Sequence, residues 1–123
     1  MYLTDTNILI LAIDGQEPEA SFLRRAVKNN AVRLSVISVA EFLTGTGRVE
    51  QRAFEKLMLA FPPLIIDEDV ARLAADYRKK SLKKTRVTLL DCLLAAQAKK
   101  HGLTLVTNNK ADFPMRDILI MKP

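Results

Sequence analysis

A single cysteine, Cys92, is all the chain has, so no internal disulfide can form and nothing points to an oxidising compartment. Cys92 sits among leucines and alanines and reads as a small core residue. Histidine is equally scarce. His101 is the only one, it falls at an expected helix C-terminus, and the donor set of a zinc site is missing. No apolar run approaches the roughly 18 residues of a membrane span. Met1 leads straight into a strand with no signal-peptide pattern before it. Internal repeats, low-complexity segments and linkers are absent too, which leaves one domain over residues 1–123 and the cytoplasm as the expected location.

Hydrophobic residues make up 49% of the chain and charged ones 27%, ordinary values for a globular protein. At this size about two-thirds of the unfolded surface can be buried, enough for a core without covalent staples. The net charge of +5 makes nucleic acid a plausible partner, although charge alone does not separate substrate from solubility.

The most informative stretch is 88–113, TLLDCLLAAQAKKHGLTLVTNNKADF. Its leucines and alanines give a stripe wide enough for a helix pressed onto a sheet, and Gly102 ends it after Lys99, Lys100 and His101. A short apolar strand, 103–106, follows, and Thr107, Asn108, Asn109, Lys110 and Asp112 come where it ends. Ligands of open α/β sheets bind at the carboxyl ends of strands.

Upstream, 2–4 reads as a strand closed by Asp5-Thr6-Asn7, with a helix over 8–13. A helix over 17–30 has Pro18 in its first turn, and a strand over 33–37 follows. Ser38 and Glu41 then match a capping box, opening a short helix that Thr44-Gly45-Thr46-Gly47 breaks. A helix over 49–60, a strand over 64–66, and a helix capped by Asp67 and running to about 83 complete the middle, and 118–121 is a last strand near a sheet edge. Alternating βα segments with short connections predict a three-layer α/β/α sandwich around a mostly parallel sheet.

Asp5, Glu41 and Asp91 fall early in βα junctions or the helices after them, and Asp112 falls just past a strand. Each alone is explained as a cap or a surface acid. Together on one rim they would repel one another and raise their own pKa values unless a cation joined them. Oxygen-only ligands favour a hard cation, Mg²⁺ or Mn²⁺. The run 78–86 has six basic residues in nine and reads either as a solvated helix end or as a phosphate-contacting patch leading into the Asp91 helix.

Three segments, LTDTNILI, SVISVAEFLTG and the 88–113 stretch, carry a resemblance that spans essentially the whole chain. The chain resembles the PIN-domain family, and within it the VapC-type toxin ribonucleases of type II toxin–antitoxin systems. That resemblance implies a metal-dependent ribonuclease of homodimeric habit, inhibited by a co-expressed antitoxin. It maps the family's metal-binding acids onto Asp5, Glu41, Asp91 and Asp112, and its supporting polar residues onto Asn7 and Thr107. Lys83, Lys84, Arg86 and Lys110 would then hold the RNA backbone, reading charge and not sequence. Asn108 stands where many relatives carry Arg, and Leu90 where many carry a polar residue. Phe42, Leu43, Phe54, Leu57 and Met58 make a candidate wall for an antitoxin tail, with the domain's own core or a homodimer interface as the competing assignment. Other readings are a housekeeping RNA-processing nuclease, a non-catalytic RNA-binding module of the same fold, and a phosphorelay receiver domain with Asp67 as phosphoacceptor.

Overall fold

The structure, a computed structural model, describes residues 1–83 and 86–123. Four short strands form one parallel sheet in the order β2-β1-β3-β4: β1 Tyr2–Thr4, β2 Val32–Arg33, β3 Thr104–Val106 and β4 Ile120–Met121. Six helices connect them: α1 Thr6–Ile13, α2 Glu19–Lys28, α3 Val36–Gly45, α4 Arg48–Ala60, α5 Glu68–Lys80 and α6 Leu89–His101. None is long and apolar enough to cross a membrane.

Side-chain alternation along the strands divides the apolar interior in two. Leu3 and Leu105 point to a core built with Val70, Ala74 and Tyr77 of α5 and Leu94, Ala95, Ala96 and Ala98 of α6. Val32 and Val106 point to a second core with Ile8 and Leu9 of α1, Phe22 and Leu23 of α2, Phe42 of α3 and Phe54 of α4. Small residues on α6 keep its backbone close to the sheet. Cys92 is fully buried in the first core. Phe42 and Phe54 are both fully buried, stacked with ring centroids 4.3 Å apart, and Leu57 and Met58 pack against the same core. These side chains therefore fill the domain, and of the expected antitoxin wall only Leu43 is exposed.

Several boundaries differ from those the sequence predicts, for identifiable reasons. The second strand stops at Arg33, because Ser35 takes the extended conformation of a helix cap and accepts from Ile37 N at 3.1 Å. Ser38 consequently lies inside α3, buried, and no capping box engages Glu41. The expected strand 64–66 reduces to one bridge, Leu64 beside Ser35. Its outer hydrogen bonds come instead from the buried Gln97 of α6, whose amide donates to the carbonyls of Leu64 and Ile65 at 3.0 and 3.1 Å. Pro18 stands at the cap position of α2, not within its first turn. Helix α5 ends at Lys80, where the Ser81 hydroxyl donates to the Tyr77 carbonyl at 2.8 Å. The last strand shortens to two residues and does lie at the sheet edge. Gly102 ends α6 in the left-handed region, φ +64°, as a C-cap glycine does.

Candidate active site

Asp5 follows β1 directly, and its backbone N–H donates to the Val106 carbonyl at 2.9 Å, while Thr107 N–H donates to Met121 at 3.0 Å. These bonds set the carboxyl ends of β1 and β3 side by side. Asp5 caps α1, accepting from Thr6 N at 2.7 Å through Oδ1. Its other oxygen accepts from the buried Thr107 hydroxyl at 2.9 Å, and that hydroxyl in turn accepts from Asn109 N at 3.0 Å.

Glu41 sits nearly two turns into α3 and is held across the cleft by Thr6, whose hydroxyl donates to Oε1 at 2.6 Å and lies 3.1 Å from the Ser38 hydroxyl. Asp91 closes a capping box at the start of α6, exchanging bonds of 3.1 Å with Thr88 in both directions. Asp112 ends the 3-10 turn Lys110–Asp112 and pairs with Arg86 Nε at 3.3 Å. All four acids line one cleft of about 340 Å³, with Ile37, Leu90 and Leu94 as its apolar wall.

Burial pushes the Asp5 carboxyl above the ordinary aspartate value, and the charges of Asp91 and Glu41 add to this, while the bonds from Thr107 and Thr6 N pull it down. Asp91 is raised for the same leading reason, with Asp112 and Glu41 adding and Thr88 opposing. Asp5 and Asp91 therefore both feel other acids across the cleft, and each is steadied by its own donors.

Among the described residues, no three acid, Cys or His side chains are gathered into a ready ligand set. The donor chemistry fits a hard divalent cation all the same. The cleft offers oxygen ligands only, two of its four carboxylates, Asp5 and Asp91, are groups that a positive charge would relieve, and Mg²⁺ usually takes one or two carboxylates and keeps several waters.

The remaining predicted residues are scattered. Asn7 is exposed on the first turn of α1 and is not among the residues lining the cleft. Lys83 is exposed just past α5, and Lys110 is exposed at the head of the 3-10 turn. Arg86 lies in the cleft itself, on Asp112. Lys84 lies outside the described residues. Asn108 reaches the other way, donating to the buried Glu19 of α2 at 3.2 Å. Asp67, on which a receiver domain would depend, caps α5 through Val70 N at 2.9 Å and pairs with Lys100. Sequence reasoning missed Thr6 and Thr88. A T-x-x-D box was visible for Thr88, but nothing local ties Thr6 to Glu41.

The sequence profile of the PIN domain family matches residues 2–117. The chain belongs to the PIN domain family. It is 33% identical over 116 residues to Ribonuclease VapC10 of Mycobacterium tuberculosis, covering 94% of this chain and 87% of that protein. Its fold is similar to that of a chain in the structure of VapBC2 from Rickettsia felis bound to a DNA fragment from their promoter, at a TM-score of 0.81 and 22% identity over 99% of this chain and 98% of that one. A toxin–antitoxin complex from Klebsiella pneumoniae is similar at a TM-score of 0.76 and 26% identity, covering 97% of this chain and 96% of that one.

Proposed function

We propose that this protein is a divalent-cation-dependent endoribonuclease, the toxin of a toxin–antitoxin pair. The observation that carries the reading is the single cleft lined by Asp5, Glu41, Asp91 and Asp112, four acids up to 107 positions apart (112 − 5) in a chain that is otherwise basic. Its likeness to a ribonuclease and to a toxin–antitoxin complex supports the activity and the partner class.

Asp5, Glu41 and Asp91 would hold Mg²⁺ or Mn²⁺, with Asp112 at a second ion or a metal-held water. Such an ion lowers the pKa of a bound water and stabilises charge on the scissile phosphate and the leaving oxygen. Thr107 fixes the carboxylate plane of Asp5, and Thr6 fixes Glu41, so neither acid has to reorganise when the cation arrives. Lys83, Lys84, Arg86 and Lys110 meet the RNA backbone, with Arg86 able to exchange Asp112 for a phosphate. Asn7, exposed two residues after Asp5, would act as a supporting polar residue at the mouth of the site. A VapB-like antitoxin would place a basic side chain among the carboxylates and exclude the cation, and the toxin itself would act as a homodimer.

The test is cleavage of a mixed cellular RNA pool by purified protein with Mg²⁺, with Mn²⁺ and with chelator, beside Asp5→Asn. Cleavage that needs the cation and disappears in the variant is expected. A receiver domain, a non-catalytic module or a different catalytic centre would leave the pool intact or cut it equally in chelator.

A further inference from the structure

A second cleft, of about 370 Å³, lies between the end of α5 and the segment after Phe113. Its floor is apolar, Pro114 and Met115. Two cations, Lys80 and Arg116, stand on its rim, both exposed, and neither forms an ion pair among the described residues. One wall carries Asp117, whose Oδ1 accepts from the Tyr77 hydroxyl at 2.8 Å and whose Oδ2 pairs with Lys99 of α6 at 3.8 Å. No residue of this cleft belongs to the acid cleft, yet the chain joins the two closely. Asp112 lines one and Pro114 lines the other, so only Phe113 stands between them, and the two are at most about 7 Å apart along the chain.

From this we infer that the cleft is a subsite for the RNA strand flanking the scissile phosphate, an assignment that rests on the ribonuclease reading. Lys80 and Arg116 carry the charge that backbone phosphates need, and Lys80 belongs to the same basic run as Arg86 of the acid cleft. The apolar floor takes the face of a base, which every nucleotide offers. The Asp117 carboxylate sets the ligand class. Beside the two cations it disfavours a bare anion, but it accepts from the amino group of a base, as acidic side chains accept from cytosine N4. The occupant therefore carries both a phosphate and a base with a donor edge.

The experiment measures binding of short oligo-C and oligo-U single strands by fluorescence anisotropy in chelator, across a salt titration, so that no cleavage intervenes. Wild type should prefer oligo-C, and Asp117→Ala should abolish the preference. Lys80→Ser with Arg116→Ser should weaken binding about tenfold near physiological salt. The same pair should lower the salt slope by about 1.4, since each single-strand phosphate that is no longer neutralised takes away about 0.7. Arg52→Ser with Lys56→Ser, on α4 across the sheet, removes the same charge and should leave affinity and slope near wild type.

Equal losses in the two double variants, or wild-type binding in the Lys80/Arg116 pair, would overturn the subsite. So would a change in sedimentation mass of that pair with RNA binding intact, which would give the face to a second copy of the chain. If wild type cuts no RNA with Mg²⁺ or Mn²⁺ but still shows this binding pattern, the nuclease reading fails and the RNA groove stands.

Discussion

Thr107→Val tests whether the Asp5 carboxylate is held ionised by a single buried hydroxyl. The two side chains match in shape, so the change removes the hydroxyl and little else. It deletes the 2.9 Å bond to Asp5 and the acceptor of Asn109 N. Asn109 is exposed and its N–H can turn to water, so most of the loss falls on the bond to a charged acceptor, about 2 kcal/mol, or about 6–10 °C in Tm for a domain of this size.

The loss should depend on pH in a definite direction. Burial already holds the Asp5 pKa above its unfolded value, and the Thr107 bond is the largest influence opposing that. An acid with a raised folded pKa costs stability above that pKa, and the cost disappears as pH falls through it toward the unfolded value. Removing Thr107 raises the folded pKa further, so the cost grows at neutral pH and its relief on acidification starts at a higher pH. Urea unfolding in chelator at a series of pH values should therefore show wild type and variant far apart at neutral pH and converging in acid. A gap below about 0.5 kcal/mol, or one constant with pH, would refute the argument.

Asp5→Asn should stabilise the cation-free protein at neutral pH, because it removes a buried charge facing Asp91 and Glu41, and the gain should vanish below the unfolded aspartate pKa; differential scanning calorimetry in chelator reads both. Saturating Mg²⁺ or Mn²⁺ should raise the Tm of wild type, by the equivalent of about 2.7 kcal/mol at a hundredfold excess over Kd, and leave that of Asp5→Asn nearly unmoved. Phe54→Ala breaks a stacked, fully buried pair and should cost about 3–5 kcal/mol in denaturant titrations. Gln97→Leu strands the buried Ser35 hydroxyl and two carbonyls, which should cost about 2–3 kcal/mol and speed hydrogen exchange around 64–66.

Elements backed by periodicity or by a strong stop signal were legible along the chain alone. The helix that Gly102 ends and the one that Asp67 caps are cases, since a left-handed glycine and a capping carboxylate act within one turn of chain. The junction of β2 with α3 was not legible in detail. Ser35 and Ser38 are both competent caps, and the apolar run between them suits a strand or a helix equally. Packing goes with the observed start: with the helix beginning at Val36, Leu34 and Phe42 are both fully buried. The segment 64–66 has the composition of a strand, and it is kept out of the sheet ladder by an amide from Gln97, which no local rule anticipates.

The same division runs through the candidate site. The sequence by itself determined the chemistry on offer: four acids, no imidazole beside them, one cysteine that reads as core, and a basic run leading toward Asp91. Those are properties of residue type and of order along the chain; Asp5, Glu41 and Asp112 come after strands β1, β2 and β3, and α6, which leads back into β3, carries Asp91 in its first turn at the same rim. Only the tertiary structure decided how the acids are held. The Thr6 bond to Glu41 spans 35 positions and the Thr107 bond to Asp5 spans 102. Which donor reaches which carboxylate depends on how α1, α3 and β3 pack at that rim, and a hydrogen bond is won or lost over a few tenths of an ångström, a precision that pattern and propensity do not carry.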